Sequence, residues 1–248
     1  MRRYNLLVFL TLMTVAAQAQ FINLGATVTI QSGATLRVET NIENNGTGTI
    51  TNNGTIEVSG NFTNAGTATL TPGAGLVKFI GSANTTLDTG GDALFNVEMA
   101  KTSNATVALS APATIAGNLS FTGAGSKILL GGNDLTLASS TVVSATTDHS
   151  TNGYVVTGST GRLVRTNLGA TPFTYPVGFD EITYNPITIA ENGTIHNIGV
   201  RVLEKAYENG VSGTAITSEV VDASWVVSEA NAGNSNLTIT PQWLTADE

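Results

Sequence analysis

The residues best suited to chemistry sit together at Asp148-His149-Ser150, which names the three members of a hydrolytic triad. A triad works only when carboxylate, imidazole and hydroxyl converge side by side. Successive side chains on an extended chain point to opposite sides, so the trio is read as a polar loop. The other histidine, His196, lies in a different region, and neither has a metal-ligand partner at HxH or HxxxH spacing. TGGDALF (residues 89–95) and GGNDLTL (131–137) have the glycine-aspartate phrasing of calcium-binding β-rolls. Those sites share each ion between turns repeated about every nine residues. Two copies about forty residues apart would leave the ion under-coordinated, so both read as structural turns.

Polysaccharide lyases and hydrolases need carboxylates clustered with a base or an Arg on one face. From Thr27 to Ala145 the charged residues are Arg37, Glu39, Glu43, Glu57, Lys78, Asp88, Asp92, Glu98, Lys101, Lys127 and Asp134. At a period of about twenty Arg37 and Glu57 align, and no set of three forms. Arg162, Arg165, Arg201 and Lys205 gather basic charge later in the chain. They suit either contact with acidic polysaccharide or a solvated strand face. Eight Asn-x-Ser/Thr sequons occur, among them Asn45, Asn53, Asn61, Asn104 and Asn192. An Asn-Gly turn running into a Thr-led strand generates such triplets without any glycan. No catalytic, cofactor-binding or metal-binding set is assigned.

The elements that must position these residues are legible as a repeat. From Thr27 the lines TVTIQSGATLRVETNIENNG, TGTITNNGTIEVSGNFTNAG and TATLTPGAGLVKFIGSANTT align Thr27, Thr47 and Thr67, and likewise Thr29, Thr49 and Thr69. Ile30, Ile50 and Leu70 follow, then Leu36, Ile56 and Leu76. The line from Thr106 sets Val107, Leu109, Thr114 and Ile115 in the places of Val28, Ile30, Thr35 and Leu36. Apolar and polar residues alternate with strand period, and Asn-Gly, Ser-Gly and Pro-Gly fall between the runs. A coil of about twenty residues is too short for a βαβ unit and fits one rung of a parallel β-helix. About six coils are expected before the pattern fades near Asp148. The Thr ladder offers a further reading as an ice-binding face, although it does not persist into the line from Thr106, where Ala108 takes the paired place.

MRRYNLLVFLTLMTVAAQAQ places Arg2 and Arg3 before an apolar run and a small-x-small site, so residues 1–19 read as a secretory signal peptide cleaved after Ala19. No later stretch is long and apolar enough for a membrane span. With no cysteine the chain must be held by burial and backbone pairing. A formal net charge of -8 argues against nucleic acid and against an anionic membrane surface. The expected fold is all-β, with a parallel β-helix over residues 20–153 and a smaller antiparallel, sandwich-like β-domain over 154–248 that caps the rod.

NNGTITNNGTI, IAGNLSF, GRLVR, FTYPVG, YNPITI and the stretch from SWVVSE to TPQWL carry a resemblance. The chain resembles large exported β-strand-repeat proteins of the Bacteroidota, whose N-terminal parts are similar to the β-helices of filamentous haemagglutinin and pectate lyase. The resemblance implies type IX secretion and surface anchoring, and an expected continuation beyond TPQWLTADE into a further strand. The expectation is therefore a non-enzymatic extracellular or cell-surface module, structural or adhesive, that binds polysaccharide or other surface proteins. The alternatives are a polysaccharide-active lyase or hydrolase and, as a minor one, an ice-binding solenoid.

Overall fold

The computed structural model describes residues 19–230 and 233–243. The expected leader lies outside the described residues except for Ala19. The chain winds as a parallel β-solenoid: each short strand is apolar on one side, and stacking successive coils in register buries those sides in a shared core. In Thr55–Val58, Ile56 and Val58 are fully buried, while Thr55 and Glu57 face outward. Repeating this on every rung stacks Ile42, Phe62, Phe79, Met99, Leu119 and Phe121 in one continuous core.

Three faces make the rod. The first is an eight-stranded parallel sheet from Phe21–Asn23 to Val177–Gly178. The second is a six-stranded parallel sheet from Thr35–Val38 to Val143–Ala145. The third opens with Thr27–Ile30, Thr49–Asn52 and Thr69–Thr71, and Ala93–Leu94 then begins a further six-stranded sheet beside it. Eight rungs at roughly 4.8 Å make a rod of about 35 Å.

The number of coils exceeds the six read from the repeat, since pairing persists where the pattern fades. Leu129 pairs with Val156, and the long link between them carries the short helix His149–Asn152. Loop lengths also shift the alignment. Phe62 pairs with Leu87, a longer step than Ile42 to Phe62. As a result Thr106–Leu109 lies on the first face beside Thr85–Asp88, not on the third face that holds Val28 and Ile30. Ala113–Ile115 then takes the third-face position and not that of Thr35 and Leu36.

The parallel stack runs on past residue 153. Leu163–Leu168 pairs in parallel with Leu135–Leu137 on one side and antiparallel with His196–Leu203 on the other. Ser224–Glu229 extends that sheet, again antiparallel. A small antiparallel sheet of Phe173–Tyr175, Ile187–Glu191 and Leu237–Pro241 completes the C-terminal part. The Tyr175 hydroxyl donates to the Ile198 carbonyl at 3.1 Å, and Trp225 Nε1 to the Asn185 carbonyl at 2.9 Å, tying the two sheets together. The antiparallel part is thus a hydrogen-bonded continuation of the third face.

Turn residues do more than reverse the chain. Gly46 and Gly66 have φ of 62° and 70°, which favours glycine. Beside them runs a buried ladder: Asn23 Nδ2 donates to Asn44 Oδ1 at 2.8 Å, and Asn44 Nδ2 to Asn64 Oδ1 at 2.7 Å. Asn64 Nδ2 continues to Asp92 Oδ2 at 3.1 Å. Each amide satisfies the next, so Asn23, Asn44 and Asn64 stand inside the coil with their side-chain hydrogen bonds made.

Candidate functional site

The densest group of charges lies on the outer side of the second face. Arg37 pairs with Glu57, Glu57 with Lys78, and Lys78 with Glu98 on four successive strands. Lines of twenty break this row between Glu57 and Lys78, which are twenty-one residues apart, so the four charges do not fall in one column. Arg37 Nη1 lies 3.0 Å from Glu57 Oε2, and Lys78 Nζ lies 3.1 Å from Glu98 Oε1. Thr122 Oγ1 also donates to Glu98 Oε1 at 2.7 Å. The hydrogen bond to Glu39, then its charge, raise the Arg37 guanidinium above its ordinary value.

Signs alternate along this row, so each carboxylate is neutralised by a neighbour, the favourable arrangement for cross-strand pairs. Two rungs separate Glu57 from Glu98, about 9–10 Å, near the upper limit for a water-activating carboxyl pair in an inverting glycosidase. Lys78 occupies the space between them. The row is built to hold strands in register.

The remaining candidates are committed to local structure. Asp148 caps the helix His149–Asn152, accepting from Thr151 N at 2.7 Å and from Ser150 Oγ at 2.6 Å. The Ser150 and Thr151 hydrogen bonds hold its carboxyl below the usual range. His149 Nδ1 lies 2.9 Å from the Gly153 carbonyl, its ring lies edge-on to Phe121, and burial lowers its pKa. Aspartate and serine therefore meet while the imidazole turns away. Asp92 Oδ2 accepts from Leu70 N at 2.6 Å, and Asp134 Oδ1 from Arg162 N at 2.8 Å, so both Gly-Asp turns spend their carboxylates on backbone. His196 Nε2 lies 3.1 Å from the Gly233 carbonyl.

Arg165 reaches back along the rod to the carbonyls of Thr141 and Ser139 and stacks 4.3 Å from the Phe173 ring. Arg201 Nη1 donates to the Ser159 carbonyl at 2.9 Å. Lys101 and Lys127, read as rung charges, are buried instead. Lys101 Nζ donates to the Ile80 carbonyl at 3.0 Å, and burial lowers its pKa to about 8. Lys127 Nζ donates to the Gly125 carbonyl at 2.8 Å and lies 4.5 Å from the Tyr154 ring centre.

Three surface features face solvent. The threonines form two columns, Thr27-Thr49-Thr69 and Thr29-Thr51-Thr71. The first step is longer than twenty, so Thr47 and Thr67 fall in turns and not in the columns. A cleft of about 460 Å³ is lined by Tyr184, Pro186, Pro241, Gln242 and Trp243. Along a corner of the rod runs a groove of about 870 Å³ lined by Thr40, Asn41, Ser59, Asn61, Ser82 and Asn84, among others.

That groove has a specific chemistry. Asn41 Oδ1 accepts from Asn61 N, Asn61 Oδ1 from Thr86 N, and Asn84 Oδ1 from Thr106 N, at 2.9, 2.9 and 3.0 Å. Each side-chain oxygen is fixed to the next rung, and among the described residues none of the three Nδ2 groups donates to protein. The row therefore presents amide donors on successive rungs.

No family model matches this chain, and neither the curated proteins nor the solved structures give a match. Among the described residues no cluster of three or more His, Cys, Asp or Glu could hold a metal ion, and no helix is long and apolar enough to cross a membrane.

Proposed function

We propose that this chain is an exported, non-enzymatic solenoid that serves as a structural and adhesive module at the cell surface or outside the cell, binding glycan along its corner groove. The leader and the repeat phrasing that resembles exported Bacteroidota surface proteins support export, with type IX secretion as the route. The observation that carries the binding reading is the row of Asn41, Asn61 and Asn84 amide donors repeated along the rod. Such a row matches a polymer whose hydroxyl and ring oxygens also recur along its length. Many weak contacts then sum without a deep pocket.

Asn41→Asp, Asn61→Asp and Asn84→Asp together test this. Each keeps the oxygen that holds the next rung and replaces the donor with an acceptor. Loss of each hydrogen bond of about 1 kcal/mol should lower polysaccharide affinity more than tenfold, while the stacked carboxylates lower stability by about 1–2 kcal/mol and leave the protein folded. Undiminished binding would remove the groove from the account.

A second reading has one observation in its favour. The six outward threonines form a regular grid on three adjacent strands, as an ice-binding face requires. Growth-inhibited ice crystals in the presence of the protein, lost on Thr51→Lys, would support it.

A further inference from the structure

Five Asn-Gly pairs occur in the chain, at Asn45, Asn53, Asn152, Asn192 and Asn209. Glycine after asparagine leaves its amide nitrogen sterically open, so all five are equal on sequence alone. The structure makes them unequal. Gly54 N donates to Asn52 Oδ1 at 3.2 Å, Gly153 N to His149 O at 3.0 Å, Gly193 N to Glu191 Oε1 at 2.7 Å, and Gly210 N to Tyr207 O at 2.9 Å. In these four the nitrogen points at an acceptor other than the preceding asparagine's side chain. Gly46 N instead donates to Oδ1 of Asn45 itself, at 2.7 Å.

We infer that Asn45 is a self-modification site, where the chain converts its own asparagine to aspartate and isoaspartate through a cyclic imide. Loss of the Gly46 N–H proton to solvent base frees an electron pair along the direction in which the N–H pointed, towards the Asn45 side-chain carbonyl. A bond forms between Gly46 N and Asn45 Cγ, and the bond from Cγ to Nδ2 breaks. Nδ2 takes up a proton and leaves as ammonia. Water then adds to either carbonyl of the imide, opening it to aspartate or to isoaspartate.

Two further features favour the step at this corner. Asn45 Nδ2 donates to Glu43 Oε1 at 3.2 Å, so a carboxylate faces the nitrogen as it gains positive charge on departure. Asn45 N donates to Asn23 O at 2.8 Å, which fixes the backbone while the side chain stays beside its attacker. Held proximity of this kind replaces the conformational search an open chain must make. The product adds a negative charge next to Glu43 on the second rung, and isoaspartate lengthens the backbone at a corner where Gly46 has φ of 62°.

The test ages the folded protein in mildly alkaline buffer made with heavy-oxygen water, then locates the label by proteolysis and mass spectrometry. A parallel sample is held unfolded in guanidinium. In the folded protein position 45 should convert at least about tenfold faster than the other four sites, giving isoaspartate as well as aspartate. In the unfolded sample the five should convert at comparable rates. Equal rates across the five sites in the folded protein would overturn the inference, as would slower conversion of Asn45 folded than unfolded, or a product free of isoaspartate.

Discussion

Arg37 Nη1 and Glu57 Oε2 lie 3.0 Å apart across adjacent rungs, and the same column continues through Lys78 to Glu98. Because signs alternate, reversing one of them places like charges against both neighbours. Glu57→Lys should cost about 1–2 kcal/mol, measured by denaturant unfolding, and raised salt should recover part of the loss. Glu57→Gln should cost less than about 1 kcal/mol, since the Arg37 side chain is 56% exposed. Equal effects from both variants would show that the row has no electrostatic part in register.

The asparagine ladder should be more sensitive than the turns beside it. Asn44 is fully buried and bonded on both sides. Asn44→Ala leaves the Asn64 oxygen without its donor and should cost about 2–3 kcal/mol. Asn53→Ala, at an exposed turn, should stay within about 0.5 kcal/mol. Urea unfolding of the two variants decides the comparison.

Lys101 gives the fold a pH signature. Its folded pKa is lowered from 10.5 to about 8 by burial. Between those values the unfolded chain holds a proton that the folded chain lacks, so stability rises with pH across that window. The full effect is on the order of 3 kcal/mol, present above the window and absent below about pH 8. Above pH 10 the trend turns over, because burial resists ionisation of Tyr154 and Tyr175 in the folded state while the unfolded tyrosines ionise. Lys101→Met should raise stability at neutral pH and flatten the rise, in unfolding curves recorded at stepped pH.

Much of this architecture is visible in the order of residues. Alternation in ATLRVE and GTIEV specifies strands, and the Leu36 to Ile56 and Arg37 to Glu57 spacings give true neighbours. What a fixed period misses is the variable length of the corners. Thr27 pairs with Thr49 and Phe62 with Leu87, so the threonine columns, the place of the Thr106 strand and the full charge row all drift out of alignment. Recurrence of Asn23, Asn44 and Asn64 next to turn glycines carried the signal for the ladder, but turn propensity explained the same residues. Burial of Lys101 had no sequence signal, since a lone lysine in a polar stretch looks like surface. The groove is equally hidden, because its donors become distinct only once each asparagine oxygen is fixed to the next rung.

The most direct test of binding without turnover is to incubate the purified protein with insoluble polysaccharides and measure, in one sample, protein in the pellet and sugar ends in the supernatant. The expected result is protein bound to a polysaccharide with no new reducing ends and no unsaturated product. Release of either product, abolished by Glu57→Gln or Glu98→Gln, would contradict the account and make the charge row a catalytic site.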